Sequence, residues 1–369
     1  MRVVGFCSVV AQEDNLGDVV IRREMLRVLR ETCDEVVVYA GRSGASYRAS
    51  YDLDGTTVLT RPGRFQARLA RAALGRERPL LVFAPGPARL GGDRRSLLKG
   101  VANLANVVLV RLGRGEAMTL GRAVRTGGRA GRAVEALSVR LQSLYVARDD
   151  VTRGVLGPRV RVAPDLALAG DDGPATGAAD AMVLSFRGDR EVDPALVRRA
   201  IEAARRTGTR PVLVTQVRRD GAQHARLAAE HGIEHVAWEG EHRAQLDRVT
   251  ATMRTARVVV SDRLHALLLG ARNGAVVVPV ATPGSDKLPT TLAVLPSTAA
   301  PDDLRVHLAA LGEPVVVDRA AARAAVDDVR ALVVARAAGL RGAPDAPPAG
   351  ARPAAARPDR VPDPLEEGV

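Results

Sequence analysis

Residues Val258–Leu267, VVVSDRLHAL, join a run of three valines to a short polar turn and the start of an apolar helical pattern. The valines are typical of a buried strand, and Arg263 and His265 fall in the first turn of the helix that follows. A helix N-terminus carries unpaired N–H groups and partial positive charge, so it favours anions. Arg263 adds a fork that can bind phosphate or carboxylate, and His265 can supply a proton. The stretch predicts a strand-turn-helix unit that holds a small anion and protonates it.

Short apolar runs alternate with amphipathic helical patterns on both sides of this unit. The predicted strands are 3–10, 35–40, 80–84, 107–111, 144–147, 160–163, 181–186, 211–215, 235–238, 257–260 and 275–280. Helical patterns include 18–31, 130–141, 194–206 and 243–255. This alternation predicts an α/β fold with parallel, doubly wound sheets.

The chain of 369 residues is long enough for two domains. Segment 169–180 is rich in Gly, Asp, Ala and Pro, and it predicts a hinge between Rossmann-like domains at 1–169 and 181–340. Two such domains facing each other make a cleft, and ligands in open α/β sheets lie at the carboxyl ends of the strands. The tail, 341–369, lacks periodicity and is predicted to be disordered.

The charge of the chain comes almost entirely from arginine. The formal net charge is +12, and of 54 basic residues only Lys99 and Lys287 are lysines. Ile occurs three times and Asn four times, a pattern that indicates drift toward GC-rich codons. The basic excess favours anionic partners such as phosphorylated substrates, acidic glycans or the inner membrane surface. Nucleic acid is not expected, because aromatic residues are only 2% and no nucleic-acid-binding motif is present.

Cysteine and histidine usage points to a reduced compartment and away from metal chemistry. Cys7 and Cys33 have no metal-ligand or CxxC neighbour, and no signal peptide or membrane-spanning run is evident. We therefore expect a cytoplasmic protein with, at most, peripheral contact with the inner membrane surface. The histidines other than His265 show no metal-site spacing, and solvated positions are expected for them.

Several further candidates for substrate binding follow predicted strands. Asn15, Gly17 and Asp18 occupy the first strand-to-helix loop, where Gly17 permits close approach and Asp18 can cap a helix. Gly86 lies in a Pro-Gly-Pro turn that can present N–H groups to an anion. Arg148 is expected to point into the cleft.

The remaining candidates lie near the hinge and in the second half of the chain. Asp165 ends a strand near the hinge, and Ser261 precedes Arg263 in the opening stretch. Lys287 is notable because so few lysines are retained. The local sequence also allows a plain turn, cap or surface ion pair at these positions.

Taken in order, these motifs resemble the polysaccharide pyruvyl transferase family over about residues 1–295. The matching pieces are Asn15–Asp18, Gly86, Arg148–Asp149 with Thr152, Pro164–Ala167, Ser261–His265 and Lys287. The resemblance implies a GT-B-like pair of Rossmann-like domains that face a cleft. It also implies transfer of a pyruvate unit from phosphoenolpyruvate to a sugar of a cell-surface polysaccharide or its precursor, as a cyclic ketal with phosphate release. No cofactor or metal is implied. The partners are phosphoenolpyruvate as donor, bound on the 181–340 side, and a free or lipid-linked saccharide acceptor on the 1–169 side.

The resemblance also implies roles for individual side chains. Arg263 binds the donor and His265 is the general acid, while Arg148 and Lys287 neutralise the leaving phosphate. Either Asp18 or Asp165 orients or deprotonates the acceptor hydroxyl.

Two departures from the family pattern bear on substrate binding. Pro85-Gly86-Pro87 stands where the family has a run of glycines, and proline both removes N–H donors and stiffens the loop. Thr152 replaces a serine and keeps the hydroxyl. Two alternatives to the pyruvyl transferase stay open: a GT-B nucleotide-sugar glycosyltransferase and a non-catalytic, glycan-binding member of the family. P-loop, GxGxxG, GxSxG and HExxH motifs are absent from the sequence.

Overall fold

The computed structural model describes residues 1–90, 93–170, 179–281 and 287–342. Most of the predicted hinge and all but the first two residues of the predicted disordered tail lie outside the described residues. The elements of the first half are β1 (Val3–Ser8), α1 (Leu16–Thr32), β2 (Glu35–Tyr39), α2 (Ala45–Ala49), β3 (Thr57–Leu59), α3 (Pro62–Leu74), β4 (Arg78–Phe83), β5 (Gly86–Leu90), α4 (Arg94–Leu112), β6 (Glu116–Gly127), α5 (Arg129–Leu141), β7 (Leu144–Ala147), α6 (Asp150–Leu156), β8 (Arg161–Val162) and a 3-10 turn at Leu166–Leu168.

The elements of the second half form a similar alternation. They are β9 (Ala181–Ser185), α7 (Pro194–Arg206), β10 (Arg210–Val214), a 3-10 turn at Arg218–Asp220, α8 (Gly221–His231), β11 (Glu234–Val236), α9 (His242–Arg254), β12 (Ala256–Ser261), α10 (Leu264–Arg272), β13 (Val276–Pro279), α11 (Lys287–Leu292), β14 (Ser297–Ala299), α12 (Asp302–Leu308), β15 (Val315–Val317) and α13 (Arg319–Arg341).

The first sheet is parallel throughout the described residues. Its order is β3-β2-β1-β4-β6-β7-β8, and β5 continues the edge of β6 beyond the end of β4. Val3, Val4 and Phe6 of the central strand β1 are buried, as expected for a strand covered by helices on both faces. The carboxyl ends of β1, β4 and β7 therefore lie along one edge of this sheet.

The second sheet has the order β11-β10-β9-β12-β13-β15-β14. Strands β9 to β13 pair in parallel, whereas β15 and β14 add antiparallel edge pairings. Val258, Val259 and Val260 are buried at its centre, which confirms the strand predicted from the valine run. The α/β prediction with two mostly parallel sheets is confirmed.

Three local predictions differ from the structure. Residues 107–111, predicted as a strand, form the last turns of α4, because Val107 and Val110 face the core while Val108 lies exposed, the period of a helix. The Pro-Gly-Pro segment is a strand rather than a loop from Gly86 onward, since it pairs with β6. Strand β6 itself was not predicted, because its Gly, Arg and Thr residues hide the apolar pattern.

Helix α13 returns to the first half of the chain. Its buried face, at Ala322, Val326, Val329, Val333 and Ala337, recurs at helical spacing, and the helix contacts α1. Arg330 pairs with Glu31 at 2.5 Å and Arg341 with Asp34 at 3.0 Å. The sequence boundary at 340 groups this helix with the second domain, whereas its packing joins it to the first.

Candidate active site

The junction between β12 and α10 forms the centre of the site. Ser261 is buried, donates to the Ser185 carbonyl at 2.5 Å and accepts from the Arg263 backbone N–H at 2.9 Å. Arg263 is the N-cap residue with extended backbone, and Leu264 begins the helix. His265 consequently lies in the first helical turn, as predicted from the sequence.

Arg263 directs its guanidinium fork toward Asp220, which lies just before α8. Its Nε donates to Asp220 Oδ2 at 2.9 Å, and Nη2 donates to Oδ1 of the same carboxylate. Asp220 is fully buried and also accepts from the Gly188 N–H at 2.8 Å. The guanidinium of Arg263, which was expected to bind the donor, is therefore hydrogen-bonded to Asp220. This contact holds the start of α10 against the ends of β9 and β10.

His265 packs across the boundary between the two sheets, directly against the start of α1. A Cβ atom built on Gly17 lies 2.1 Å from Nδ1 and 2.5 Å from Cβ of His265, so only glycine fits there. His265 is itself buried. The close approach predicted for Gly17 is real, but the group that approaches is the imidazole of His265.

Asn15 and Asp18 form the N-terminal turn of α1 beside this contact. Asn15 Oδ1 accepts from the Gly17 N–H at 3.1 Å, which makes Asn15 the cap. Its Nδ2 lies 3.4 Å from Asp18 Oδ2. Asp18, predicted as the cap, instead accepts from Arg22 Nη1 at 3.2 Å, and both side chains are buried.

Gly86 lies next to the same arginine. Its φ of +129° favours glycine, and a Cβ atom there is 3.8 Å from Arg22 Nη2. Arg22 therefore connects Asp18 with Gly86. The sequence does not mark Arg22 as a site residue. The chain contains 52 arginines, and Arg22 lies in the interior of a helical pattern.

A fully buried ion pair lies beside His265. Arg148 Nη1 donates to Asp165 Oδ2 at 2.8 Å, and Asp165 Oδ1 accepts from the Ala167 N–H at 3.0 Å. Burial opposes ionisation of Asp165, but the charge of Arg148 and the nearby imidazole of His265 outweigh it and hold the pKa of Asp165 below its ordinary value. Arg148 Nε and Nη2 have no hydrogen-bond partner among the described residues.

Backbone and side-chain contacts join the two halves of the chain next to these residues. Asn15 and Val217 form an antiparallel bridge, and the Arg218 N–H donates to the Asp14 carbonyl at 2.8 Å. His242 contacts Ser46 Oγ at 2.7 Å through Nδ1 and the Glu13 carbonyl at 2.8 Å through Nε2. These contacts hold the start of α1 against the second sheet.

Two histidines contradict the expectation of solvated positions. His242 is buried in the contacts just described, and His224 is buried among Phe186 and Thr215. Burial lowers the pKa of His224 to about 4, so the ring is neutral at physiological pH. Neither position has a sequence signal, since each partner of His242 lies more than 190 residues away along the chain.

The structure brings most predicted site residues to one region, and it does not describe the side chain of one of them, Lys287. Asn15, Gly17, Asp18 and Gly86 adjoin one another, with His265 against Gly17 and Asp165 close to His265. Lys287 begins α11, but its side chain lies outside the described residues. Within the described ranges, no cluster of three or more metal-ligating side chains is present, and no helix has the length and apolar character for crossing a membrane.

Residues 127–283 match the model of the polysaccharide pyruvyl transferase family. The match confirms the resemblance inferred from the sequence, over a shorter span than the predicted 1–295. Arg148, Asp165, Ser261, Arg263 and His265 lie within the matched residues. No curated protein matches this chain significantly.

Two solved UDP-GlcNAc 2-epimerases have folds similar to that of this chain. UDP-GlcNAc 2-epimerase from Methanocaldococcus jannaschii has a TM-score of 0.50 at 10% identity, covering 90% of this chain and 99% of that chain. UDP-GlcNAc 2-epimerase from Neisseria meningitidis has a TM-score of 0.49 at 10% identity, covering 91% and 94%. Similarity at this level of identity describes the fold alone, which is GT-B-like.

Proposed function

We propose that this protein transfers a pyruvate unit from phosphoenolpyruvate to a saccharide, forming a cyclic ketal and releasing phosphate. The family match supports the reaction class. The observation that carries the proposal is the position of His265, packed on Gly17 at the start of α1 and electrostatically coupled to Asp165. An acid at this junction lies where a donor held by one half of the chain meets an acceptor held by the other.

In this proposal His265 protonates the methylene carbon of phosphoenolpyruvate, and a sugar hydroxyl attacks the carbon that carries phosphate. Phosphate then leaves with its bonding electrons, and a second hydroxyl of the same sugar closes the ring. One of the two hydroxyl protons replaces the proton delivered to carbon, and the other leaves with phosphate. A protonated imidazole beside a carboxylate and a bound donor is suited to the first step.

We assign the two aspartates different roles. Asp165 is enclosed by Arg148 and the Ala167 N–H, so it orients and supports the charged form of His265. Asp18 lies at the start of α1 on the first sheet, and we assign it to the acceptor hydroxyl. The fully buried Arg148 keeps Asp165 ionised, and its Nε and Nη2 groups, which have no hydrogen-bond partner among the described residues, are candidates for the leaving phosphate.

The donor's remaining charge is assigned to the N-terminus of α10 and to Lys287. Arg263 acts chiefly through Asp220 in this proposal, holding the helix on which His265 lies. A cytoplasmic location, a lipid-linked form of the acceptor and contact with the inner membrane surface stay predictions.

The test is to supply the full chain with phosphoenolpyruvate and a panel of saccharides, and to measure phosphate release together with the acceptor's mass gain. Parallel reactions with UDP-sugars measure nucleotide release. Phosphate release that depends on the saccharide, with a ketal on the product, supports the proposal. Release of UDP instead identifies a glycosyltransferase, and saccharide binding without either product identifies a non-catalytic protein.

A further inference from the structure

A cavity of about 290 Å³ opens at the carboxyl ends of β1, β2 and β4. A second cavity of about 210 Å³ adjoins it and shares Lys99, Asn103 and Arg122 as lining residues. Both lie in the first half of the chain, away from the β12–α10 junction. None of the residues predicted from the sequence as site residues lines either cavity.

The residues that line the larger cavity are unusual for this chain. Lys99 is one of two lysines, Asn103 and Asn106 are two of four asparagines, and Tyr39, Phe65 and Phe83 are three of nine aromatic residues. Codon drift toward arginine works against Lys and Asn everywhere, so their concentration around one cavity indicates that an ammonium and two carboxamides are needed there. This combination of polar groups on an apolar wall is typical of a small-ligand site.

The electrostatics of the cavity favour an anion. Lys99 lines the cavity and is still exposed to solvent. Partial desolvation first, and then the positive charges of Arg122 and Arg22, lower the pKa of Lys99. Arg122 has a partial counter-charge in Glu135 at 3.8 Å. A bound carboxylate or phosphate would satisfy Lys99 through a charge-assisted hydrogen bond.

The opposite wall suits a sugar ring. Tyr39 and Phe65 both line the cavity, with their ring centroids 5.6 Å apart. Carboxamides such as those of Asn103 and Asn106 both donate and accept, which matches neighbouring hydroxyl groups. Arg22, which donates to Asp18, also acts electrostatically on Lys99.

We infer that this cavity binds an acidic saccharide, with the carboxylate or phosphate of the sugar on Lys99 and its ring against Tyr39 and Phe65. The identification of this saccharide as the acceptor rests on the proposed function. The binding itself does not, because it requires no donor and no turnover.

The experiment is calorimetry of the full chain without phosphoenolpyruvate. The probes are a uronic-acid disaccharide, a glycosyl phosphate, a neutral disaccharide and inorganic phosphate. Lys99→Met removes the charge and keeps most of the stem, Lys99→Arg restores the charge, and Arg95→Met removes an exposed charge from the same helix as a matched control.

We expect Lys99→Met to weaken binding of the better acidic saccharide at least tenfold, with recovery in Lys99→Arg and no change in Arg95→Met. Which acidic saccharide binds more tightly decides between carboxylate and phosphate. Equal affinity for neutral and acidic saccharides, or equal effects of Lys99→Met and Arg95→Met, would overturn the inference. Inorganic phosphate binding as tightly as the glycosyl phosphate would overturn the recognition of the sugar. A ketal assay that fails while this binding pattern holds refutes the proposed function alone.

Discussion

Gly17→Ala tests the contact that joins the two halves of the site. The added Cβ would lie 2.1 Å from Nδ1, 2.3 Å from Cγ and 2.5 Å from Cβ of His265. Rotation of the imidazole relieves the first two contacts but not the third, because the His265 Cβ is fixed to the backbone of α10. Carbon atoms pack at about 3.5–4.0 Å, so α10 and α1 must separate by roughly 1 Å.

Separating the two helices should reduce turnover much more than it reduces thermal stability. Overpacking costs about 1–3 kcal/mol, and replacing a helical glycine by alanine returns up to about 1 kcal/mol. At about 2–4 °C per kcal/mol, the melting temperature should fall by only a few degrees. A displacement of about 1 Å between reacting groups, in contrast, costs about a hundredfold in turnover.

The assay is phosphate release from phosphoenolpyruvate with an active saccharide, measured beside thermal unfolding on the same preparation. Gly154→Ala is the matched control, because that helical glycine has open space where a Cβ would lie, and it should leave both quantities nearly unchanged. A Gly17→Ala protein with near-native turnover would refute the view that the packing of His265 on Gly17 sets the active geometry.

Three further predictions address other parts of the site. His265→Gln should lower turnover by roughly 10²–10⁴-fold with little change in melting temperature, whereas a structural histidine would show the reverse. Arg263→Lys and Asp220→Asn should each reduce turnover, and the double variant should lose no more than the worse single one, because both changes break one contact; additive losses would indicate a separate role for Arg263. The free energy of unfolding should fall by up to about 3 kcal/mol as the pH falls from 6.5 to 4. Burial lowers the pKa of His224 from 6.5 to about 4, so in this range the unfolded chain binds a proton that the folded chain does not. Denaturant titrations at several pH values should show a weaker pH dependence of the free energy of unfolding in His224→Gln. An unchanged pH dependence would count against the lowered pKa of His224 as its cause.

Local sequence is enough to predict the individual strands, turns and helix starts of this protein. The valine run before Arg263 and His265 predicts β12, the turn and the first residues of α10, because burial on both faces and helix initiation depend on neighbours within a few residues. The alternation of such units predicts parallel sheets, since parallel strands need a crossover between them. Order and spacing of the motifs also predicted the resemblance to the family whose model matches residues 127–283.

The partner that each side chain contacts depends on long-range folding and is not visible in the sequence. The fork of Arg263 lies on Asp220, 43 residues away, although the sequence leaves it free for a ligand. Gly17 meets His265 from the other half of the chain. Local sequence indicates which contacts an arginine or a glycine is able to make. Which contact forms depends on the fold, because a buried charge pairs with the counter-charge that the fold places near it.

The same reason explains the errors in secondary structure. The apolar run at 107–111 fits a strand or a buried helix equally well, and packing against the sheet made it the end of α4. Likewise α13 is amphipathic by sequence, but nothing local states that its apolar face lies on α1. Periodicity determined that each element has a buried side, and the long-range contacts of the folded chain decided what that side is buried against.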